Sequence, residues 1–170
     1  MIVKLIGVIL VIVSCGGVGF KIAANHRQEE NALRQLINIL DFMESELKYR
    51  LTPLPELCRY AAKEFSDMPG CVFHNLANEL DKQASPDIKQ CLDIALNDIK
   101  SIPPITYKEL KLLGNSIGKY DLEGQLKGLE AVYQDCKRNI EQLSINRDNR
   151  LRSYQTLGLC AGAALAILFV

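Results

Sequence analysis

The chain has 170 residues, with 20 basic and 20 acidic side chains and a formal net charge of zero, so no global charge excess points to nucleic acid. Its length suffices for one ordinary globular domain with residues to spare. Tryptophan is absent and histidine occurs twice, at His26 and His74, which removes most metal-binding and acid–base constellations at the outset.

Residues 5–20 contain no charged side chain, and Ile22-Ala23-Ala24 continue the apolar character past Lys21. With Lys4 and Lys21 reaching toward headgroups, the segment 1–24 attains the roughly 20 residues that a bilayer helix needs. Within it, Val13-Ser14-Cys15-Gly16 also reads as a lipoprotein processing site. On that alternative Cys15 becomes a lipidated N-terminus, and the chain is a lipid-anchored extracytoplasmic binding protein. A lipoprotein usually carries a polar tether after its cysteine, whereas Gly16-Gly17-Val18-Gly19-Phe20 prolong the apolar run. The preferred reading is therefore a transmembrane helix.

Over residues 28–49, Leu33, Leu36, Ile37, Leu40, Met43 and Leu47 recur at steps of three and four. This predicts an amphipathic helix, with Glu44 and Lys48 off the stripe. It ends before Arg50-Leu51-Thr52-Pro53, where Thr52 suits an N-cap and Pro53 the first helical position. A second helix then carries Leu54, Leu57, Cys58, Ala61 and Phe65 on one face. Ser66-Asp67-Met68-Pro69-Gly70 predicts a turn, followed by a short helix with Val72, Phe73, Leu76 and Leu80. His74 falls just off that face, with no second ligand at metal-binding spacing.

Ser85-Pro86-Asp87 predicts the N-terminus of a fourth helix that turns Ile88, Cys91, Leu92, Ala95 and Ile99 inward until Pro103-Pro104 stop it. Thr106-Tyr107-Lys108-Glu109 has the spacing of a capping box and opens a fifth helix with Leu110, Leu113 and Ile117. Gly114 and Gly118, four apart, allow close helix contact. Gly118 more naturally ends the helix as a C-cap, before Asp121 as the next N-cap. Leu122, Leu126, Leu129, Tyr133, Cys136, Ile140 and Leu143 then alternate steps of four and three, a heptad seam. Gly128 is the sole glycine or proline between Gln125 and Leu157, which predicts one long helix running into the last apolar segment.

That segment, 154–170, is on the short side of the usual range of about 17–25 residues, with Gln155 and Thr156 suited to the interface beside Tyr154. Gly158, Gly162 and Ala166 recur every four residues, and Cys15 and Gly19 do the same in the first span. Such small-residue stripes let helix backbones approach closely in lipid. Lys21, Arg27 and Arg34 follow the first span, and Arg147, Arg150 and Arg152 precede the second. The positive-inside rule then places the middle in the cytoplasm and both termini across the membrane. The expected architecture is all-α. A cytoplasmic bundle of about six helices (25–153) lies between transmembrane helices at 1–24 and 154–170.

Of the six cysteines, Cys15 and Cys160 lie in the apolar ends, Cys58, Cys91 and Cys136 fall on apolar helix faces, and Cys71 has no clear face. Without a Cys-x-x-Cys, they read as buried free thiols in a reducing compartment. No phosphate-cradling glycine loop, nucleophile elbow or His-Glu-x-x-His occurs, and Asp41, Glu44 and Glu46 read as charges on helix faces. The expectation is a scaffold without catalytic residues, metal or cofactor.

"LIGVILVIVSCGGVGFKIA", "LRQL", "ESELKYRLTPLPEL" and "LLGNSIGKYDLEGQLKGLE" occur in the order seen in the stage III sporulation protein AB family, which the whole chain resembles. The most specific parts are Glu46-Leu47-x-Tyr49-x-x-Thr52-Pro53-Leu54 and Gly114-x-x-x-Gly118-x-x-Asp121. Several apolar positions hold cysteine here, a departure from the pattern. The resemblance implies a cytoplasmic domain similar to the F-type platform protein of type II secretion and type IV pilus systems. It implies residence in the mother-cell membrane around the forespore, in a channel complex linking the two cells. The implied partners are a secretion-type ATPase of the same operon, other channel membrane proteins and membrane lipid; oligomerisation is left open. The turns holding Tyr49, Thr52, Pro53, Leu54 and Glu56, and Gly114, Gly118 and Asp121, are the expected contact regions. Exposed turns that match a family pattern need a reason beyond core packing.

Overall fold

The computed structural model describes the backbone of residues 2–82, 87–117 and 121–169, and the side chains of 25–82, 87–117 and 121–145. Six helices make up the described residues, with no strand among them: α1 (Ile2–Arg50), α2 (Leu54–Glu64), α3 (Met68–Asp81), α4 (Ile88–Asn97), α5 (Pro104–Ser116) and α6 (Leu122–Phe169). They form two compact units. One consists of Met1–His26 with Glu141–Val170, the other of Arg27–Ile140.

The predicted segments 1–24 and 28–49 are one continuous helix rather than two. No glycine or proline lies between Phe20 and Thr52, and the Arg27-Gln28-Glu29-Glu30 connection consists of good helix formers. For Cys15, Gly19, Lys21, Arg147, Arg150, Arg152, Gly158, Gly162 and Ala166 only the backbone is described, and it is helical. The membrane-spanning and lipid-anchor readings rest on those segments. Among the described residues, no helix is long and apolar enough to cross a membrane.

In the unit Arg27–Ile140, α1 buries Ala32, Leu33, Leu36, Ile39, Leu40, Met43 and Leu47. Ile37, expected on that stripe, is only half-buried, because the buried face rotates to take in Ile39. Leu57, Cys58 and Ala61 of α2, with Val72, Phe73, Leu76 and Ala77 of α3, complete one side of the core. Each large apolar side chain removed from water in this way contributes about 1.5–3 kcal/mol. Arg59 reaches both carboxylate oxygens of Asp81 at 2.7 Å and ties the exposed edges of α2 and α3 together.

Several helix boundaries differ from the sequence expectation. Met68, Pro69 and Gly70 form the first turn of α3 behind the N-cap Asp67, since proline is well suited to a first turn whose amide has no partner. Helix α4 starts after Asp87, whose side chain accepts the Lys89 amide, and already ends at Asn97. Pro104 opens α5 rather than stopping α4. Ser85, Pro86 and Gly118 lie outside the described residues.

Glycines set two close approaches between α5 and its neighbours in the chain. A Cβ on Gly114 would sit 2.5 Å from Leu92 Cδ2, and one on Gly128 would sit 2.3 Å from Ser116 Cβ. Along α6, Leu129, Cys136 and Leu143 are buried at heptad spacing. Val132 is buried where the seam predicted Tyr133, and Leu122, at the head of the seam, is exposed.

Candidate functional site

The turn joining α1 to α2 is held by one carboxylate. Glu46 Oε2 accepts the Thr52 hydroxyl at 3.0 Å, and Glu46 Oε1 pairs with Arg50 at 3.1 Å. Thr52 is buried and makes no N-cap. Pro53 is the cap residue instead, its carbonyl accepting the Leu57 amide, and Pro55 stands in the first turn. The Glu46–Thr52 spacing thus closes the turn, while Leu47 belongs to the core. Tyr49 has neither role. It is 77% exposed, Leu51 two residues on is 65% exposed, and among the described residues the only cation over the Tyr49 ring is the Lys48 ammonium, 6.0 Å away. Pro53 and Glu56 are exposed, and Leu54 is half-buried.

Beside this turn lies an open groove of about 220 Å³ lined by Phe42, Glu46, Arg50, Tyr60, Lys63 and Glu64. Phe42 meets Phe65 edge to face, with ring centroids 6.1 Å apart, a geometry that aligns one ring's positive edge with the other's negative face. Tyr60 is 47% exposed. The sequence reading missed Leu51, Phe42 and Tyr60, because periodicity marks apolar residues for the core and gives no sign of those left outside.

The second expected region separates into unlike parts. Gly114 is buried against Leu92, so its small size serves helix packing. Asp121 is exposed and caps α6 by accepting the Gly124 amide at 3.0 Å. The structure gives Tyr49, Pro53 and Glu56 an open surface, and places Thr52 and Gly114 inside.

The capping box expected at Thr106–Glu109 does not form. Because α5 begins at Pro104, Thr106 is its third residue, and its amide and hydroxyl donate to Glu29 Oε1 of α1 at 2.8 and 3.0 Å. Both residues are buried. A carboxylate in this place satisfies a free amide of the helix N-terminus and faces its partial positive charge. Glu109 points instead to α6, where Oε1 accepts Asn139 Nδ2 at 3.0 Å, and its buried Oε2 has no hydrogen-bond partner.

Burial raises the Glu109 pKa above the ordinary 4.5, and the nearby Asp135 charge adds to the rise, against the lowering influence of Lys108, Asn139 and Arg138. In the unfolded chain Glu109 ionises first as pH climbs. The folded state then holds the extra proton, and stability falls from about pH 4.5 until the folded pKa is passed. Replacing Glu109 with Gln removes this titration. In parallel urea titrations from pH 4 to pH 8, the variant should gain stability relative to the parent as pH rises; a difference independent of pH would contradict the assignment.

Cys58, Cys91 and Cys136 are buried, Cys71 is exposed, and none of the four is in a disulfide. Desolvation pushes Cys58 and Cys136 up to about 12, so both are protonated, unreactive core residues at neutral pH. Among the described residues, no group of three or more His, Cys, Asp or Glu side chains is placed to hold a metal.

A family model described as stage III sporulation protein AB matches residues 4–170. The stage III sporulation protein AB of Bacillus subtilis (strain 168) is 26% identical over 173 residues, covering 98% of this chain and 99% of that protein. A solved structure of a stage III sporulation protein AB shares the fold with a TM-score of 0.62 at 23% identity, covering 72% of this chain and 98% of that one.

Proposed function

We propose, on the premise that this chain belongs to the stage III sporulation protein AB family, that it is a non-enzymatic membrane platform of a secretion-like channel complex between mother cell and forespore. Its helical unit docks a secretion-type ATPase, and the α1–α2 turn is the contact. The observation that carries this is Tyr49. Glu46 and Thr52 of its motif close the turn and Leu47 fills the core, while Tyr49 is 77% exposed and takes part in neither. Exposed aromatic residues beside arginine are the side-chain types that dominate binding energy at protein interfaces.

The segments 1–24 and 154–170 anchor the platform as membrane helices, with the middle in the cytoplasm. Their apolar composition and the basic residues Lys21, Arg27, Arg147, Arg150 and Arg152 on their inner flanks support that topology. Relatives are named as sporulation proteins, which agrees with an assembly role.

Exchanging Tyr49 and Glu56 together for Ala should weaken capture of the same-operon ATPase by the full-length, membrane-extracted chain at least tenfold, with an unchanged circular-dichroism spectrum. Undiminished capture would remove this turn from the interface.

A further inference from the structure

Leu51 is placed against both of its own preferences. It is 65% exposed, so the core does not require it, and its φ is +52°, in the left-handed region that leucine disfavours. Glycine or asparagine is the ordinary residue in that conformation after a helix. Nor is the turn loose. Glu46 accepts the Thr52 hydroxyl on one oxygen and pairs with Arg50 on the other, so both neighbours of Leu51 are tied to the same carboxylate.

Folding alone would favour glycine here; an apolar side chain kept outward at a left-handed position has a use outside the fold. We propose that Leu51 is a binding knob which, with Tyr49 beside it, enters an apolar pocket on a protein partner whose rim is acidic. The rim follows from charge. Arg50, next to the knob, is matched by Glu46 within the turn, which leaves Lys48, exposed and in no ion pair among the described residues, as the uncompensated charge beside it. A pocket selects the direction of one side chain, whereas a fluid lipid surface accepts any apolar residue and needs no strained one. The inference rests on the platform reading for the partner's identity, the secretion-type ATPase.

The test uses the full-length chain with Leu51→Gly and Leu51→Asn, two residues that accept a positive φ. Both variants should melt at or above the parent temperature while binding the purified ATPase at least tenfold more weakly. In the native host they should lower the count of heat-resistant spores at least tenfold at parental protein levels.

Parental binding with either variant overturns the knob, and so does a lower melting temperature in both. If the parent chain itself fails to bind the ATPase, the platform–ATPase reading falls. The knob then stands only if the variants still lose spores and a benzoylphenylalanine at position 51 crosslinks to another protein. A phospholipid adduct, or no adduct, at that position overturns it.

Discussion

Replacing Gly70 with alanine is expected to cost about 3 kcal/mol, at the upper end for overpacking of a folded interior, and to lower the melting temperature by ~10 °C or more. Helices α2 and α3 are joined by the short connection 65–67. Phe65 leaves α2 in an extended conformation, and the chain re-enters a helix at Met68. This brings the Phe65 carbonyl onto Gly70, where a Cβ would lie 1.6 Å from the carbonyl oxygen and 2.7 Å from its carbon. Both atoms are backbone, so relief requires moving one helix against the other. Truncating Phe65 to Ala should therefore not rescue the variant, whereas at Gly114, where the obstacle is the tip of Leu92, a Leu92→Ala exchange should. Thermal denaturation followed by circular dichroism on the extracted full-length chain decides it; an unchanged midpoint for Gly70→Ala would contradict the geometry.

Removing Glu29 is expected to be the second costly change. Glu29→Ala strips the Thr106 amide and hydroxyl of their shared acceptor in a place closed to water. An unsatisfied buried donor costs about 1–3 kcal/mol, so the two together should lose roughly 3 kcal/mol. Glu29→Gln keeps an acceptor but loses the charge facing the helix end, and should cost about 1 kcal/mol. Adding Thr106→Val to Glu29→Ala should recover part of the loss, because the orphaned hydroxyl then disappears. Strict additivity of the two changes in a urea-melt cycle would show that the residues do not act as a pair.

The pair shows where a local pattern and a tertiary one compete. Thr106 and Glu109 stand at capping-box spacing, and sequence alone pairs them with each other. Pro104 starts the helix three residues earlier than Thr106 as N-cap would, which moves Thr106 inside the first turn. The acceptor it then finds is 77 residues away in α1, and Glu109 is left to reach Asn139 of α6. Thr52 behaves likewise: it is a plausible N-cap by position, but its hydroxyl goes back one helix to Glu46. Polar side chains choose among acceptors by distance in space, and spacing along the chain reports only the nearest of them.

Apolar periodicity is decided more locally. Leu33, Leu36, Leu40, Met43 and Leu47 lie on one face of any α-helix built from this stretch, and all five are buried. Cys58, Cys91 and Cys136 were legible as core residues for the same reason. The all-helical class and the division into amphipathic segments follow from such patterns, and the family resemblance from the motifs around Glu46 and Gly114. Tertiary structure alone decided which residues escape the core. Tyr49 and Leu51 are apolar or aromatic like their neighbours. Their exposure arises because a helix ends at Arg50 and a single carboxylate, Glu46, turns the chain there. A hydrophobic pattern states what gains by leaving water. Whether the folded chain provides a place for it depends on contacts between segments far apart in sequence.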